Sequence, residues 1–132
     1  MRTTRIIVAT LLVGTGLWLQ LVQAQGPEIE RVELARHDFG DSVHEVIQVR
    51  VDFRAGAAFP RHSHPGVEVA YVLAGALEYQ LDDAPPVRLR AGESLFIPAG
   101  AIHSAKNVGT GSASELATYV VRKREPLVMT AP

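Results

Sequence analysis

Cysteine is absent from the 132-residue chain. That absence excludes disulfide stapling, thiolate catalysis, iron-sulfur clusters and cysteine-ligated zinc, so any metal must be held by nitrogen and oxygen. Aromatic residues make up only 6% of the chain and include a single tryptophan, Trp18. Neither sign of charge dominates, with 13 basic against 14 acidic side chains, and the longest basic run is Arg122, Lys123, Arg124. The electrostatic footprint of a nucleic-acid binder is therefore missing, and no nucleic-acid partner is expected. No window sustains a helical period, so no helix is predicted. The length leaves room for one domain of ordinary soluble composition.

One long apolar run is present, from Ile6 to Val22, interrupted only by small and uncharged polar residues and preceded by Arg2 and Arg5. A positive start, an apolar stretch and the small-residue pattern Val22-Gln23-Ala24 describe a secretory signal peptide over residues 1–24, cleaved after Ala24. The competing reading is an uncleaved membrane anchor, because the run approaches the length needed to span a bilayer. Gly14, Gly16 and Gln20 weaken it as a span. Cleavage places residues 25–132 in the periplasm or the medium as a single mildly acidic domain, and any membrane association would run through the leader alone.

Beyond the leader, β-branched and apolar residues recur at short spacing between turn signals. Strands are predicted over 30–35, 43–53, 67–73, 76–81, 87–90, 94–97, 102–105 and 115–122, separated by Gly56, Pro60, Pro65, Gly66, Gly75, Pro85, Pro86, Gly92, Pro98, Gly100, Gly109 and Gly111. Eight short strands in about a hundred residues point to an all-β sandwich or barrel. The segment after Pro126 has little in its sequence to hold it and is expected to be mobile.

Metal-ligating residue types concentrate in one stretch, where His62, His64 and Glu68 fall within seven positions. On a strand, residues two apart share a face, so His62 and His64 can converge on one ion. Glu68 lies between Val67 and Val69 in an apolar strand, where a carboxylate facing the core is costly unless paired or metal-bound. His103 follows Pro98-Ala99-Gly100 on a later strand that sheet closure could bring to the same cavity. His37 and His44 have no such company and read as surface residues. If Glu68 points inward, Ala70 and Val72 follow it, leaving Val67, Val69, Tyr71 and Leu73 on a second apolar face. A strand apolar on both sides needs cover on both, and a homodimer is expected to supply it. Phe53, Phe59, Tyr71, Tyr79, Phe96 and Ile102 are candidates for the cavity lining or the sheet faces. Arg54 and Arg61 flank the first histidine pair and could orient an anion, although solvated surface arginines are the commoner case.

The spacing of Gly56, His62, His64, Glu68 and Gly75, followed by Gly92, Pro98, Gly100, His103 and Asn107, resembles the two sequence motifs of the cupin superfamily at all ten positions. Sixteen residues separate the motifs, as in small single-domain bacterial members. The resemblance implies a double-stranded β-helix, or jelly-roll barrel, enclosing a divalent transition metal held by His62, His64, Glu68 and His103. A three-imidazole, one-carboxylate set suits Fe or Mn, with Zn, Ni, Cu and Co also compatible, and an octahedral ion so held keeps two positions open. By the same resemblance the expected activity is that of an Fe(II)- or Mn(II)-dependent, dioxygenase-like oxidoreductase. It would act on a small organic substrate, with Glu68 both ligand and proton acceptor. The alternative is a non-catalytic module that binds metal or a small ligand. No separate acid residue stands out in the sequence as a proton donor, and Asn107 is read as structural.

Overall fold

The computed structural model describes residues 28–41 and 43–132. The expected leader, residues 1–24, lies outside them. Ten strands form within the described residues: β1 (Ile29–Asp38), β2 (His44–Phe53), β3 (Ala58–Ser63), β4 (Gly66–Ala74), β5 (Ala76–Leu81), β6 (Val87–Arg90), β7 (Ser94–Ile97), β8 (His103–Asn107), β9 (Ala113–Arg122) and β10 (Met129–Thr130). No helix occurs among them. The strands pair antiparallel into two five-stranded sheets, ordered β1-β2-β9-β4-β7 and β10-β3-β8-β5-β6.

The central strands of the first sheet, β2, β9 and β4, alternate between faces. Ile47, Val49, Val51 and Phe53 of β2 point inward beside Ala113, Ala117, Tyr119 and Val121 of β9, and Ala70 and Val72 of β4 complete the layer. Leu77, Tyr79, Leu89 and Ala105 face them from the second sheet. Burial of these side chains at about 25 cal/mol per Å² of apolar surface is the main force closing the two sheets on each other.

Two glycines mark where backbone approaches backbone. At Gly66, where β4 begins beside β9, an added Cβ would lie 2.1 Å from the Val120 carbonyl oxygen. At Gly75, between β4 and β5, φ is +74° and a Cβ would lie 2.8 Å from that of Ala113.

Two elements depart from the sequence reading. Residues 58–63 form a full strand, with Pro60 at a register shift in its pairing to β8. The segment after Pro126 is tied down rather than mobile: Met129 and Thr130 pair with Ser63 and His62, and Leu127 packs against the core. A two-residue strand gives too weak a periodic signal to be seen in sequence, and only its partner makes it a strand.

The outer face of the first sheet keeps the apolar character read from β4. Val69, Tyr71 and Leu73 are 42%, 42% and 43% exposed, and Phe96 of β7, opposite Val69, is 58% exposed. Inward-pointing Glu68, Ala70 and Val72 are buried, as the alternation requires.

Candidate metal centre

The chain turns between the sheets at the site. His62, next to last in β3, lies directly across from His103, the first residue of β8, so both imidazoles belong to the second sheet. Glu68 lies on β4 of the first sheet, between Ile97 and Tyr119 in register. His64 sits in the short link between β3 and β4. The ligand atoms of the three histidines all lie within 4.8 Å of one another, and their ring centroids are 4.1 to 5.0 Å apart. Glu68 Oε2 stands 2.9 Å from His64 Nε2 and 3.2 Å from His103 Nε2. All four side chains are buried.

The imidazoles are aimed by hydrogen bonds at their outer nitrogens. His62 Nδ1 donates to the Pro60 carbonyl at 2.8 Å, and His103 Nδ1 to the Ala101 carbonyl at 3.0 Å. His64 Nδ1 donates to the carbonyl of Leu127, from the C-terminal segment. A carbonyl can only accept, so each Nδ1 carries the proton and each Nε2 is left as a lone pair facing the centre. Outer hydrogen bonds of this kind orient metal-binding histidines and raise their basicity. His64 Nε2 and Glu68 Oε2, though close, are oriented so that neither has a hydrogen-bond partner. Two orphaned buried polar atoms facing each other are costly unless something between them satisfies both. A divalent cation does so, and the donor set of three imidazoles and a carboxylate fits one.

The charges of Glu68 and His62 agree with that reading, while in the metal-free protein His103 is drawn toward its protonated form. Burial alone would raise the Glu68 carboxyl, but the His103 and His64 imidazoles beside it outweigh burial and hold it down at about 2, in its anionic form. Burial lowers His62 to about 4, keeping it neutral and available as a ligand. Burial also works against the charged form of His103, yet the Glu68 carboxylate raises it overall.

His62, Glu68 and His103, but not His64, line a cavity of about 20 Å³ together with Arg31, Val51, Phe53, Phe59, Tyr79, Ala105, Glu115 and Tyr119. That volume holds about one water-sized body. Phe53, Phe59 and Tyr79 line it as the sequence suggested, whereas Tyr71 and Phe96 lie on the outer face of the first sheet. Arg54 and Arg61 are exposed and do not line the cavity, and neither do His37 and His44. Asn107 is structural: its amide donates to the Phe53, Arg54 and Gly111 carbonyls and its Oδ1 accepts from the Gly109 amide.

Two groups missed in the sequence lie in this cavity. The Glu115 side chain, on β9, is buried and accepts a hydrogen bond from the Tyr79 hydroxyl across the gap between the sheets. Burial, with the Glu68 charge nearby, pushes the Glu115 carboxyl up to about 7, and burial likewise raises Tyr79 and Tyr119, which stay protonated. The signal for Glu115 was present in its place between Ala113 and Ala117 on an alternating strand, where a carboxylate falls on the inward phase. Arg31 was hidden because β1 carries charges on both faces.

The Cupin_2 family model, a cupin domain, matches residues 49–119, and the chain belongs to that family. It is 38% identical over 52 residues to the dimethylsulfoniopropionate lyase DddQ of Ruegeria pomeroyi, a match covering 39% of this chain and 26% of that one. The chain spans between about a quarter and two fifths of the length of the curated relatives it matches. A double-stranded β-helix protein of Klebsiella pneumoniae superposes with a TM-score of 0.66 at 20% identity, over 84% of this chain and 91% of that one. An oxalate oxidase superposes with a TM-score of 0.65 at 25% identity, over 83% of this chain and 58% of that one. The fold is thus the cupin double-stranded β-helix, and the three histidines form a group suited to a divalent metal.

Removal of residues 127–132 takes away the acceptor for His64 Nδ1. Metal affinity, measured by competition with a chromogenic chelator, is expected to fall about 10- to 100-fold. A chain shortened only after Thr130 keeps the acceptor and should keep its affinity; equal loss in both would contradict the role of Leu127.

The raised Glu115 carboxyl predicts a pH dependence in the metal-free protein. Folding favours its protonated form, so its contribution to stability is present below about 4.5 and is lost as pH rises to about 7. Tyr79, Glu68, His103 and Arg31 face the group and set its environment. Glu115→Gln should gain on the wild type between pH 4.5 and 7, by at most about 3 kcal/mol, and level off above. Urea unfolding at several pH values reads the difference, and a difference constant across that window would refute the shift.

Proposed function

We propose that the protein is an exported, metal-dependent enzyme of the oxidoreductase type, acting on a small organic substrate at an ion held by His62, His64, Glu68 and His103. The observation that carries this reading is the outer hydrogen bonding of all three imidazoles, which leaves three lone pairs facing one buried carboxylate. Fe(II) or Mn(II) at that point would supply Lewis acidity and one-electron chemistry toward dioxygen, and Zn, Ni, Cu and Co fit the same donors. The protein's own contribution is positional. Four side chains would hold the ion, Phe53 and Phe59 exclude water from the cavity beside it, and burial pushes the Glu115 carboxyl up to about 7 in the metal-free protein. Glu115 is therefore the acid that the sequence did not reveal, with Tyr79 fixing its orientation. Glu68, kept anionic, serves as ligand and as the alternative proton acceptor. The small cavity favours substrates much smaller than a flavonol.

The same tightness supports a second reading, a non-catalytic module that binds a metal or a small ligand. The two are separated on protein recovered from the periplasm or medium of its host. The proposal expects stoichiometric transition metal by elemental analysis, its loss in His103→Ala, and oxygen uptake with small organic acids, β-diketones or catechols. Metal content unchanged in His103→Ala would overturn the site, and metal binding without turnover of any of these would favour the module.

We also propose that a second copy covers the apolar outer face formed by Val69, Tyr71, Leu73 and Phe96. Light scattering is expected to give twice the chain mass, and Phe96→Glu to halve it; a wild-type mass of one chain would refute the dimer.

A further inference from the structure

The basic run Arg122, Lys123, Arg124 lies where β9 ends and the C-terminal segment begins, and the metal centre makes no use of it. Arg124 holds a left-handed backbone at φ +66°, a conformation that a non-glycine residue keeps only where its surroundings enforce it. Upstream the chain is fastened to the barrel, with the Arg122 and Lys123 amides donating to the Pro65 and Val43 carbonyls. Downstream, residues 125–132 are held by few contacts. Met129 and Thr130 pair with Ser63 and His62, the Ala131 amide donates to the Arg61 carbonyl at 3.0 Å, and Leu127 supplies one half-buried apolar anchor. A cleft of about 260 Å³, lined by His64, Gly100, Arg122, Glu125 and Met129, lies between this segment and the barrel. Segments with so few buried contacts open locally while the rest of a fold stays closed.

One of those contacts depends on the metal site. The Leu127 carbonyl accepts from His64 Nδ1, so the segment docks only against a ring that keeps its proton on that nitrogen. With no ion bound, the ring has an alternative. A small turn toward Glu68 Oε2, 2.9 Å from His64 Nε2, lets it carry the proton on Nε2, a move within the imidazole that leaves its charge unchanged. In that tautomer Nδ1 presents a lone pair to the Leu127 carbonyl, and the contact turns from attraction to repulsion. An ion on Nε2 forbids the second tautomer and fixes Nδ1 as the donor. The coupling is reciprocal: the factor by which docking of the segment raises metal affinity is the factor by which the ion suppresses opening of the segment.

We propose that residues 125–132 are a metal-operated latch hinged at Arg124, and that the peptide bonds after Lys123 and Arg124 are a cleavage site for proteases specific for basic residues, closed in the loaded protein and open in the metal-free one. This rests on the metal-site reading above and gives that site a second output, outside the barrel. A protease takes its substrate as an extended chain, which a turn tied down on both sides does not supply. Release of the latch frees the downstream side and lets Arg124 leave its left-handed conformation. Water then adds across the peptide bond, leaving a carboxylate on one fragment and an amine on the other. The fragment lost carries Leu127, so a chain cut while empty also loses the acceptor that orients His64.

The test compares the metal-free protein with protein carrying stoichiometric zinc, with metal content measured on both samples. Amide hydrogen exchange followed by NMR is expected to slow about 10- to 100-fold at Ala131 on zinc loading, the factor by which docking raises metal affinity. The Glu93 amide, bonded to the Arg90 carbonyl in the turn between β6 and β7, is the reference and should change by less than about twofold. Trypsin, its activity on a chromogenic amide matched in the two samples, should cut after Lys123 or Arg124 about 10- to 100-fold faster in the metal-free protein, because cutting follows the population of the open form. Protein that takes up no zinc would overturn the metal centre and the latch together. One zinc per chain with no slowing at Ala131, or with equal slowing at Glu93, would overturn the latch and leave the metal centre standing. Equal trypsin rates in the two samples would overturn the cleavage site.

Discussion

Three backbone carbonyls, those of Pro60, Ala101 and Leu127, decide what the centre of this barrel can do. Each accepts from an outer imidazole nitrogen and so commits the inner nitrogen to be an unprotonated donor. Without these bonds the rings could rotate or change tautomer, and four buried polar side chains would meet as mutual liabilities. With them, the two buried side-chain atoms without a hydrogen-bond partner among the described residues, His64 Nε2 and Glu68 Oε2, lie side by side, and the site is complementary to a cation before one arrives.

The constraint reaches across the fold. His62 and His103 are neighbours across one sheet, Glu68 comes from the other, and His64 lies in the link between them. An ion bound by all four would tie the two sheets together at a point where the apolar core gives way to polar groups. On the far side of the cavity the Tyr79–Glu115 hydrogen bond makes the same crossing without an ion. With an ion bound, the interior would have two polar bridges between layers otherwise joined by apolar contacts, and residues of both bridges line the cavity.

The fold and the clustering of His62, His64, Glu68 and His103 were legible because their signals are local and periodic. Glycine and proline punctuation sets strand ends, alternation sets faces, and a His-x-His pair with a carboxylate four residues on concentrates ligand-type side chains in one short stretch. Parity along β4 placed Glu68 inward and Tyr71 outward, and the burial pattern agrees. What stayed hidden depends on pairing between distant segments. Glu115 becomes notable only when Tyr79 is seen across the gap, Arg31 only when β1 is registered against β2, and the Leu127 carbonyl only when the last strand is laid beside β3. Backbone atoms have no sequence signature, so the acceptor that orients His64 could not have been read from residue identities at all.

The distance in sequence between His64 and Leu127 has a consequence for biogenesis. During synthesis the first motif emerges early, but its second histidine has no acceptor for its outer nitrogen until translation has passed position 127. A nascent chain therefore offers passing ions an incomplete chelator, and tight capture belongs to the finished polypeptide in whichever compartment it completes folding. Which ion it keeps would then be governed by the supply there, not by the pool surrounding the ribosome.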